Sequence, residues 1–329
     1  MPTDRPDLSI VIVSYNTREM TLACLHSTLS GSEGVTREVF LVDNDSRDGT
    51  VEAIREQFSD AIELIPNSDN RGFAAANNQA LRKSSGRYAL LLNPDTRLEP
   101  DALGELVSYL DAHSEVGAAG ARLIHEDGKP QRSANRFPTL RSVLHRNTAW
   151  RYTRLFSRHY RDNRMKRVVF DEPTPIEVPV GAAFAVRDSV LEKVGLLDER
   201  FWMYYEEVDL ALRIHQAGFE IHHLPQVVIV HHGGAASEGS QERVHVERLR
   251  SLVAYIRKHG GFPVRWFFLP WVFKVGFLVR LGIELPSSLF SILLERLRGR
   301  SDRSRSQALR LGDRLRFVRK HLIGFLFRF

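Results

Sequence analysis

Short apolar runs separated by polar turns set the rhythm of the chain from Leu8 to Leu92. Leu8–Val13 (LSIVIV), Glu38–Val42 (EVFLV), Ala61–Ile65 and Tyr88–Leu92 (YALLL) carry aliphatic and β-branched residues without a helical period. Such runs predict strands, and their unbroken apolar character predicts burial on both faces of a parallel sheet. Between them the pattern predicts a helix from Asn16 or Thr17 to about Leu29, another beginning near Thr50, and an Ala-rich one after the polar turn Asn67–Asn78. Strand and helix alternate strictly, so the fold class is α/β with a mostly parallel, Rossmann-like sheet flanked by helices. Pro94 ends the Tyr88 run abruptly, because it has no N–H to give to a central ladder.

Further on the pattern loosens. A helix fits Asp101–Asp111 and a strand Val116–Ile124, whereas 132–167 is basic, aromatic and weakly periodic, and reads as an irregular insertion. Ile176–Val180 reads as a strand leading into the small residues Gly181, Ala182 and Ala183, where something approaches closely. A short helix fits Asp188–Val194. Phe201–Tyr205 is an aromatic cluster, followed by a helix from Glu206 to His215 that Gly218 stops. Ile221–Val230 holds one or two strands broken at Pro225, with His231-His232-Gly233-Gly234 at its end and a helix over about 242–259 beyond.

Composition changes this picture at the C-terminal end. The net charge of +6 combines a balance of −7 over residues 1–240 with +13 over residues 241–329. The chain therefore divides into an acidic domain, 1–240, and a helical, basic and apolar extension, 241–329. Trp266–Leu281 is apolar but interrupted by Pro270, Lys274 and Arg280, and is too short and too charged to span a bilayer. Leu289–Leu294 and Leu315–Phe329 add apolar and aromatic residues among basic ones, a mixture that suits a membrane interface better than nucleic acid. Cys24 is the only cysteine, which rules out an intrachain disulfide and fits a reducing compartment. The N-terminal stretch MPTDRPDLS has no apolar core of a secretory signal.

The acids gather at the predicted carboxyl ends of strands, where open α/β sheets bind ligands. Asp43, Asp45 and Asp48 follow the second strand, Asn70–Asn78 the third, and Asp95 the fourth. Asp95 either caps the helix near Pro100 or holds a hard divalent cation together with substrate phosphates. Glu206, Glu207 and Asp209 are equally what a first helical turn favours and what a general base beside an aromatic platform of Trp202, Tyr204 and Tyr205 requires. The pair His231-His232 reads by default as one buried and one exposed side chain.

Taken in order, SIVIVSYN, VDNDSRDGT, NRGFAAANN, LLNPDT, the run from Gly181 to Ile221 and VIVHHGG resemble the inverting family 2 glycosyltransferases of GT-A fold, in particular the bacterial rhamnosyltransferase-like branch, over about residues 7–236. That resemblance implies a donor-binding half at about 1–125 and an acceptor and base half at about 170–240. It implies nucleoside contacts from Tyr15, Asn16, Asp43, Asp45, Asn70, Arg71 and Gly72, with Asn93 where many members carry a first Asp. It implies a Mg²⁺ or Mn²⁺ ion on Asp95, with His232 completing the shell, and Glu207, with Glu206 beside it, as catalytic base. Trp202, Tyr204, Tyr205 and Asp209 are then expected to face the acceptor. The donor expected is a nucleoside-diphosphate sugar, dTDP-L-rhamnose first and UDP-galactofuranose or a UDP-hexose as the alternative. The acceptor expected is lipid-linked or polysaccharide, met at the inner face of the cytoplasmic membrane, with no nucleic acid partner. A nucleotidyltransferase or a non-catalytic sugar-nucleotide-binding protein are the rival classes. No Gly-rich phosphate loop supports the first, and retention of Asp95 and Glu207 argues against the second.

Overall fold

The structure is a computed structural model. It describes residues 5–30, 34–147, 157–165, 170–233, 241–260 and some positions between 271 and 312. The described elements run in order β1 (Leu8–Ser14), α1 (Arg18–Ser30), β2 (Arg37–Asp43), α2 (Thr50–Phe58), β3 (Glu63–Pro66), α3 (Phe73–Leu81), β4 (Tyr88–Leu92), β5 (Thr96–Leu98), α4 (Ala102–Ala112) and β6 (Val116–Ile124). There follow β7 (Ala134–Asn135), α5 (Leu140–Asn147), α6 (Ser157–Arg164), β8 (Thr174–Pro175), β9 (Val178–Pro179), β10 (Ala183–Arg187), α7 (Asp188–Val194), α8 (Glu206–Gln216), β11 (Glu220–His231) and α9 (Gln241–His259). Contacts divide the chain into two compact units, one of Met1–Phe137 with Arg164–Glu238, the other of Pro138–Asn163 with Gly239–Phe329.

The first unit is built on one sheet in the order β3-β2-β1-β4-β10-β6-β11-β5. β3, β2, β1 and β4 are mutually parallel, as the apolar runs predict. β10 then enters antiparallel to both β4 and β6, β11 returns parallel to β6, and the short β5 closes the far edge antiparallel to β11. The sheet is therefore mixed at its centre, a feature the run GAAFAVR does not announce.

Alternation along each strand feeds two cores. Leu8, Ile10 and Ile12 of β1, with Tyr88, Leu90 and Leu92 of β4, pack with Cys24, Leu25, Ile54, Leu103, Leu106 and Leu110 of the helices on one side. Val11, Val13, Ala89 and Leu91 face the other side with α3, α7 and α8, represented by Ala74, Ala80, Val190, Leu210 and Ile214. Burial on both faces is why these strands read as continuous apolar runs.

Three local readings change. The insertion expected to be irregular contains α5, α6 and the short strand β7, and 138–163 lies in the second unit. Within Ile176–Val180 only Val178–Pro179 is strand, with the two-residue β8 (Thr174–Pro175) just before it. Pro225 does not break β11: pairing with β6 slips between Leu224 and Val228, and the proline sits in that bulge, where no ladder N–H is needed. The apolar stretch expected at Trp266–Leu281 lies largely, and Leu315–Phe329 wholly, outside the described residues, whereas 289–292 of Leu289–Leu294 are described and helical.

Helix α8 is anchored by a buried ion pair. Asp209 has no exposed side-chain surface and meets Arg213 Nε at 2.9 Å, one helical turn on. The Arg213 guanidinium also donates to the carbonyls of Val194 (2.6 Å), Gly195 (2.9 Å) and Leu196 (2.8 Å), fixing the chain that leads into the aromatic segment. Arg213→Ala strips this cation from a buried carboxylate, so folding stability should fall by about 3–5 kcal/mol, read from urea unfolding. A loss below 1 kcal/mol would mean that the anchor is dispensable.

Candidate active site

Strand register brings the candidate residues to one edge. Ser14 pairs with Asp43, Asp43 with Pro66 and Ile12 with Leu92, so β1 to β4 end level with one another. Because β10 is antiparallel, it begins at that same edge, with Ala183 opposite Leu92.

The loops after β1 and β2 interlock there. Buried Asp43 accepts from Ser14 Oγ (2.8 Å) on one oxygen and from the Ser46 N–H (2.9 Å) on the other. The Asn16 N–H donates to Ser46 Oγ (2.8 Å), and Asn16 Oδ1 accepts from the Arg47 N–H (2.7 Å). Asp48 caps α1 and α2 at once, accepting from the backbone of Arg18 (2.9 Å) and Thr50 (3.2 Å). Tyr15 is half-buried beside this lattice, and Asp45 is half-buried with Arg47 at 3.4 Å.

The loop after β3 is clamped onto the aromatic segment. Asn70 Oδ1 accepts from the Gly72 N–H (3.0 Å), and the Phe73 N–H donates to the Trp202 carbonyl (2.7 Å). Gly72 has φ +87°, and a Cβ there would fall 2.4 Å from the Trp202 carbonyl oxygen and 2.5 Å from its ring. Only glycine fits. Arg71 is exposed and holds Asp69 at 3.3 Å. Trp202 and Tyr204 are half-buried, whereas Tyr205 and Asp209, expected toward the acceptor, are buried. Asn16, Asp45, Tyr204 and Tyr205 all have positive φ (51°, 67°, 70° and 71°), and among described non-glycine residues only Met165 joins them. Strained backbone of this kind concentrates at functional sites.

Two carboxyls open α8. Glu206 is 6% exposed, Glu207 is half-buried, and Oε2 of each is buried with no hydrogen-bond partner in the protein. Burial and then the neighbouring Glu207 push Glu206 well above the ordinary carboxylate range. Burial also raises Glu207, but backbone N–H groups at the start of α8 and the Arg132 guanidinium oppose it. Arg132 is thus a site residue that the sequence reading passed over. It lies in the aperiodic segment after β6, where no pattern marks it. The Glu207 side chain lies against Gly181, whose added Cβ would stand 3.6 Å from Glu207 Cβ. The next residue, Ala182, accepts the Asn93 N–H at 2.9 Å.

Asp95 occupies the turn between β4 and β5 and does not cap a helix, since α4 starts at Ala102. Its backbone carbonyl accepts from the His232 N–H (2.9 Å), and its Oδ2 accepts from the Gly233 N–H (3.1 Å). The ring nearest its carboxylate is that of His231, with Nε2 3.5 Å from Oδ1. His232, expected to complete the metal shell, instead places Nδ1 3.0 Å from Glu126. Adjacent residues of a strand point to opposite faces, so one position decides which ring meets Asp95. Among the described residues no three His, Cys, Asp or Glu side chains cluster as a metal cage. An imidazole nitrogen and a carboxylate oxygen 3.5 Å apart nevertheless suit one divalent cation whose other ligands are diphosphate and water, as Mg²⁺ prefers.

Residues 9–195 match the family model described as glycosyl transferase family 2. The chain belongs to that family. Among its relatives, the N-acetylglucosaminyl-diphospho-decaprenol L-rhamnosyltransferase of Mycobacterium tuberculosis is 28% identical over 250 residues, covering 69% of this chain and 78% of that protein. The low-salt glycan biosynthesis hexosyltransferase Agl10 of Haloferax volcanii is 27% identical over 230 residues, 68% of this chain and 67% of its own. A mannosyltransferase from Pyrobaculum calidifontis, solved with GDP-Man and Mn²⁺, superposes with a TM-score of 0.53 at 21% identity over 93% of this chain and 85% of that one. At that identity the likeness speaks for the fold, which is GT-A. This glycosyltransferase therefore has the GT-A α/β fold expected of the resemblance.

The buried carboxyls give a family 2 enzyme a pH signature. Their raised folded-state values mean that their contribution to stability is full below the ordinary carboxylate range and is lost as pH rises through the raised values. Glu206→Gln should therefore raise the urea midpoint over wild type at pH 8 and not at pH 4. An equal offset at both pH values would contradict the burial of a titrating acid.

Proposed function

We propose that this glycosyltransferase moves a sugar, L-rhamnose from dTDP-L-rhamnose as first choice, onto a lipid-linked or polysaccharide acceptor with inversion at the anomeric carbon. The observation that carries the reading is the contact of Glu207 with Gly181, beside the Ala182 carbonyl that holds Asn93 at the head of the Asp95 turn. A base and an acid suited to a diphosphate-bound cation thus share one edge of one sheet. Glu207 takes the proton of the acceptor hydroxyl while the acceptor oxygen bonds to the anomeric carbon from the opposite face. The bond from that carbon to the diphosphate breaks, and its electron pair leaves with the nucleoside diphosphate. Glu207 rather than Glu206 serves as base, because backbone N–H groups and Arg132 favour its charged form while burial and Glu207 push Glu206 toward its neutral form. Asp95 and His231 would hold Mg²⁺ or Mn²⁺, which supplies charge neutralisation on the leaving group when bound. The interlocked loops at Tyr15, Asn16, Asp43 and Asp45 and the Asn70–Gly72 turn receive the nucleoside.

The Mycobacterium relative's name includes a diphospho-decaprenol acceptor, which supports a lipid-linked acceptor here. A UDP-hexose donor is the second reading, favoured by the Haloferax hexosyltransferase. The extension from 241 fits a peripheral membrane attachment on the cytoplasmic face. Among the described residues no helix is long and apolar enough to cross a membrane. Trp271, Val275, Val279 and Ile283 are each helical and exposed.

Glu207→Gln should lower turnover roughly 10²-fold or more with donor affinity little changed, measured with a panel of dTDP-, UDP- and GDP-sugars. Asp95→Ala and chelation should each abolish transfer. Full activity in excess chelator would remove the cation from the mechanism, and a crippled Glu206→Gln beside an active Glu207→Gln would move the base by one residue. Full-length protein should float with anionic vesicles and less so in high salt, each exposed Lys or Arg contributing about 1 kcal/mol. Indifference to vesicles would leave the extension a structural element.

A further inference from the structure

The side chain behind His231 decides what that ring offers to Asp95. Beyond β6, the turn through Gly128 reverses the chain, and the Gln131 N–H bonds the Leu123 carbonyl at 2.8 Å. β11 lies parallel to β6, with Val230 paired to Ile124, so Gln131 comes level with His231. Its amide Nε2 donates to the His231 carbonyl oxygen and lies 2.8 Å from His125 Nδ1. Its Oε1 lies 3.0 Å from His231 Nδ1.

These contacts orient the amide. Flipping it would set Oε1 against the His231 carbonyl oxygen, two acceptors face to face, and would turn the NH₂ toward His231 Nδ1. With Nε2 committed to the carbonyl and to His125, Oε1 faces Nδ1 and can only accept. His231 must then carry its proton on Nδ1. In the neutral ring Nε2 then carries the lone pair, 3.5 Å from Asp95 Oδ1. A lone pair facing a carboxylate is unfavourable unless a proton on Nε2 or a metal cation lies between them.

We propose that Gln131, held by the His231 carbonyl and His125, is a positioning residue that fixes His231 as the Nδ1–H tautomer, so that Nε2 and Asp95 Oδ1 together face a divalent cation. The proposal rests on the cation reading of Asp95 given above. It extends that reading to a side chain that contacts His231 rather than Asp95. Outer-shell partners of metal-bound histidines act in this way, and their loss typically costs 10–100-fold in metal affinity.

The test is ¹⁵N–¹H correlation of the histidine rings in full-length protein at pH 8 without metal, assigned with His231→Gln. The expected result is an Nδ1–H tautomer for His231 in the wild type and its loss in Gln131→Met, which keeps the length of the side chain and removes the amide. Mn²⁺ titrated in the presence of UDP or dTDP and followed by electron paramagnetic resonance should then bind Gln131→Met 10–100-fold more weakly. An Nε2–H tautomer in the wild type overturns the proposal, and that spectrum decides even where the variant does not fold. An unchanged tautomer in Gln131→Met overturns it too. An Nδ1–H tautomer with no Mn²⁺ uptake by the wild type supports the positioning role and instead overturns the cation reading on which its use depends.

Discussion

The hydrogen bond from the Asn93 N–H to the Ala182 carbonyl, at 2.9 Å, joins two segments far apart in sequence, and the site depends on it. It exists because β10 runs antiparallel to β4 and so begins where β4 ends. A parallel strand in the same slot would begin at the opposite edge and carry Gly181 and Ala182 away from the Asp95 turn. Antiparallel entry brings them to it, and Glu207 of α8 packs against Gly181 there. The segment that meets Glu207 is thereby held to the Asp95 turn through main-chain geometry.

The strain in this arrangement is distributed unevenly. Tyr204 and Tyr205 take positive φ in succession just before α8, a conformation costing of order 1 kcal/mol or more per non-glycine residue. Fixed structure on either side holds them there. On one side Gly72 and Phe73 grip the Trp202 backbone, and on the other the Asp209–Arg213 pair ties α8 to the 194–196 carbonyls. Asp209 thus contributes to the site by anchoring the helix that presents Glu207.

Much of this was legible in the sequence, and the reasons differ by element. β1, β2 and β4 are buried on both faces, and their unbroken apolar runs state as much. The sharp end of β4 at Pro94 located the turn bearing Asp95. The direction of β10 was not legible, because a strand of small residues looks the same in either sense and its pairing partners lie far away in sequence. Pro225 misled because a proline interrupts a ladder only where its N–H is needed, and the bulge removes that need. His231 and His232 could not be told apart, since a shift of one residue reverses the face of a strand. Arg132 and Gln131 lie in a segment with no period at all, where only three-dimensional proximity gives a residue meaning.

The doublet Glu206-Glu207 shows how burial can separate two chemically identical groups. Both sit in the first turn of α8, where the helix dipole favours negative charge, yet both are pushed toward the protonated form by desolvation. Two buried carboxylates side by side repel, so the doublet titrates as a pair and the first charge settles where it is best compensated. Compensation is lopsided: Glu207 has backbone N–H groups and Arg132, whereas Glu206 has chiefly a like-charged neighbour. The lopsided compensation favours the first charge on Glu207 over Glu206. The same environment that raises Glu207 also makes it a stronger proton acceptor than a solvated carboxylate, the property the proposed base requires. A water-exposed Glu207 would ionise more readily and draw a proton less.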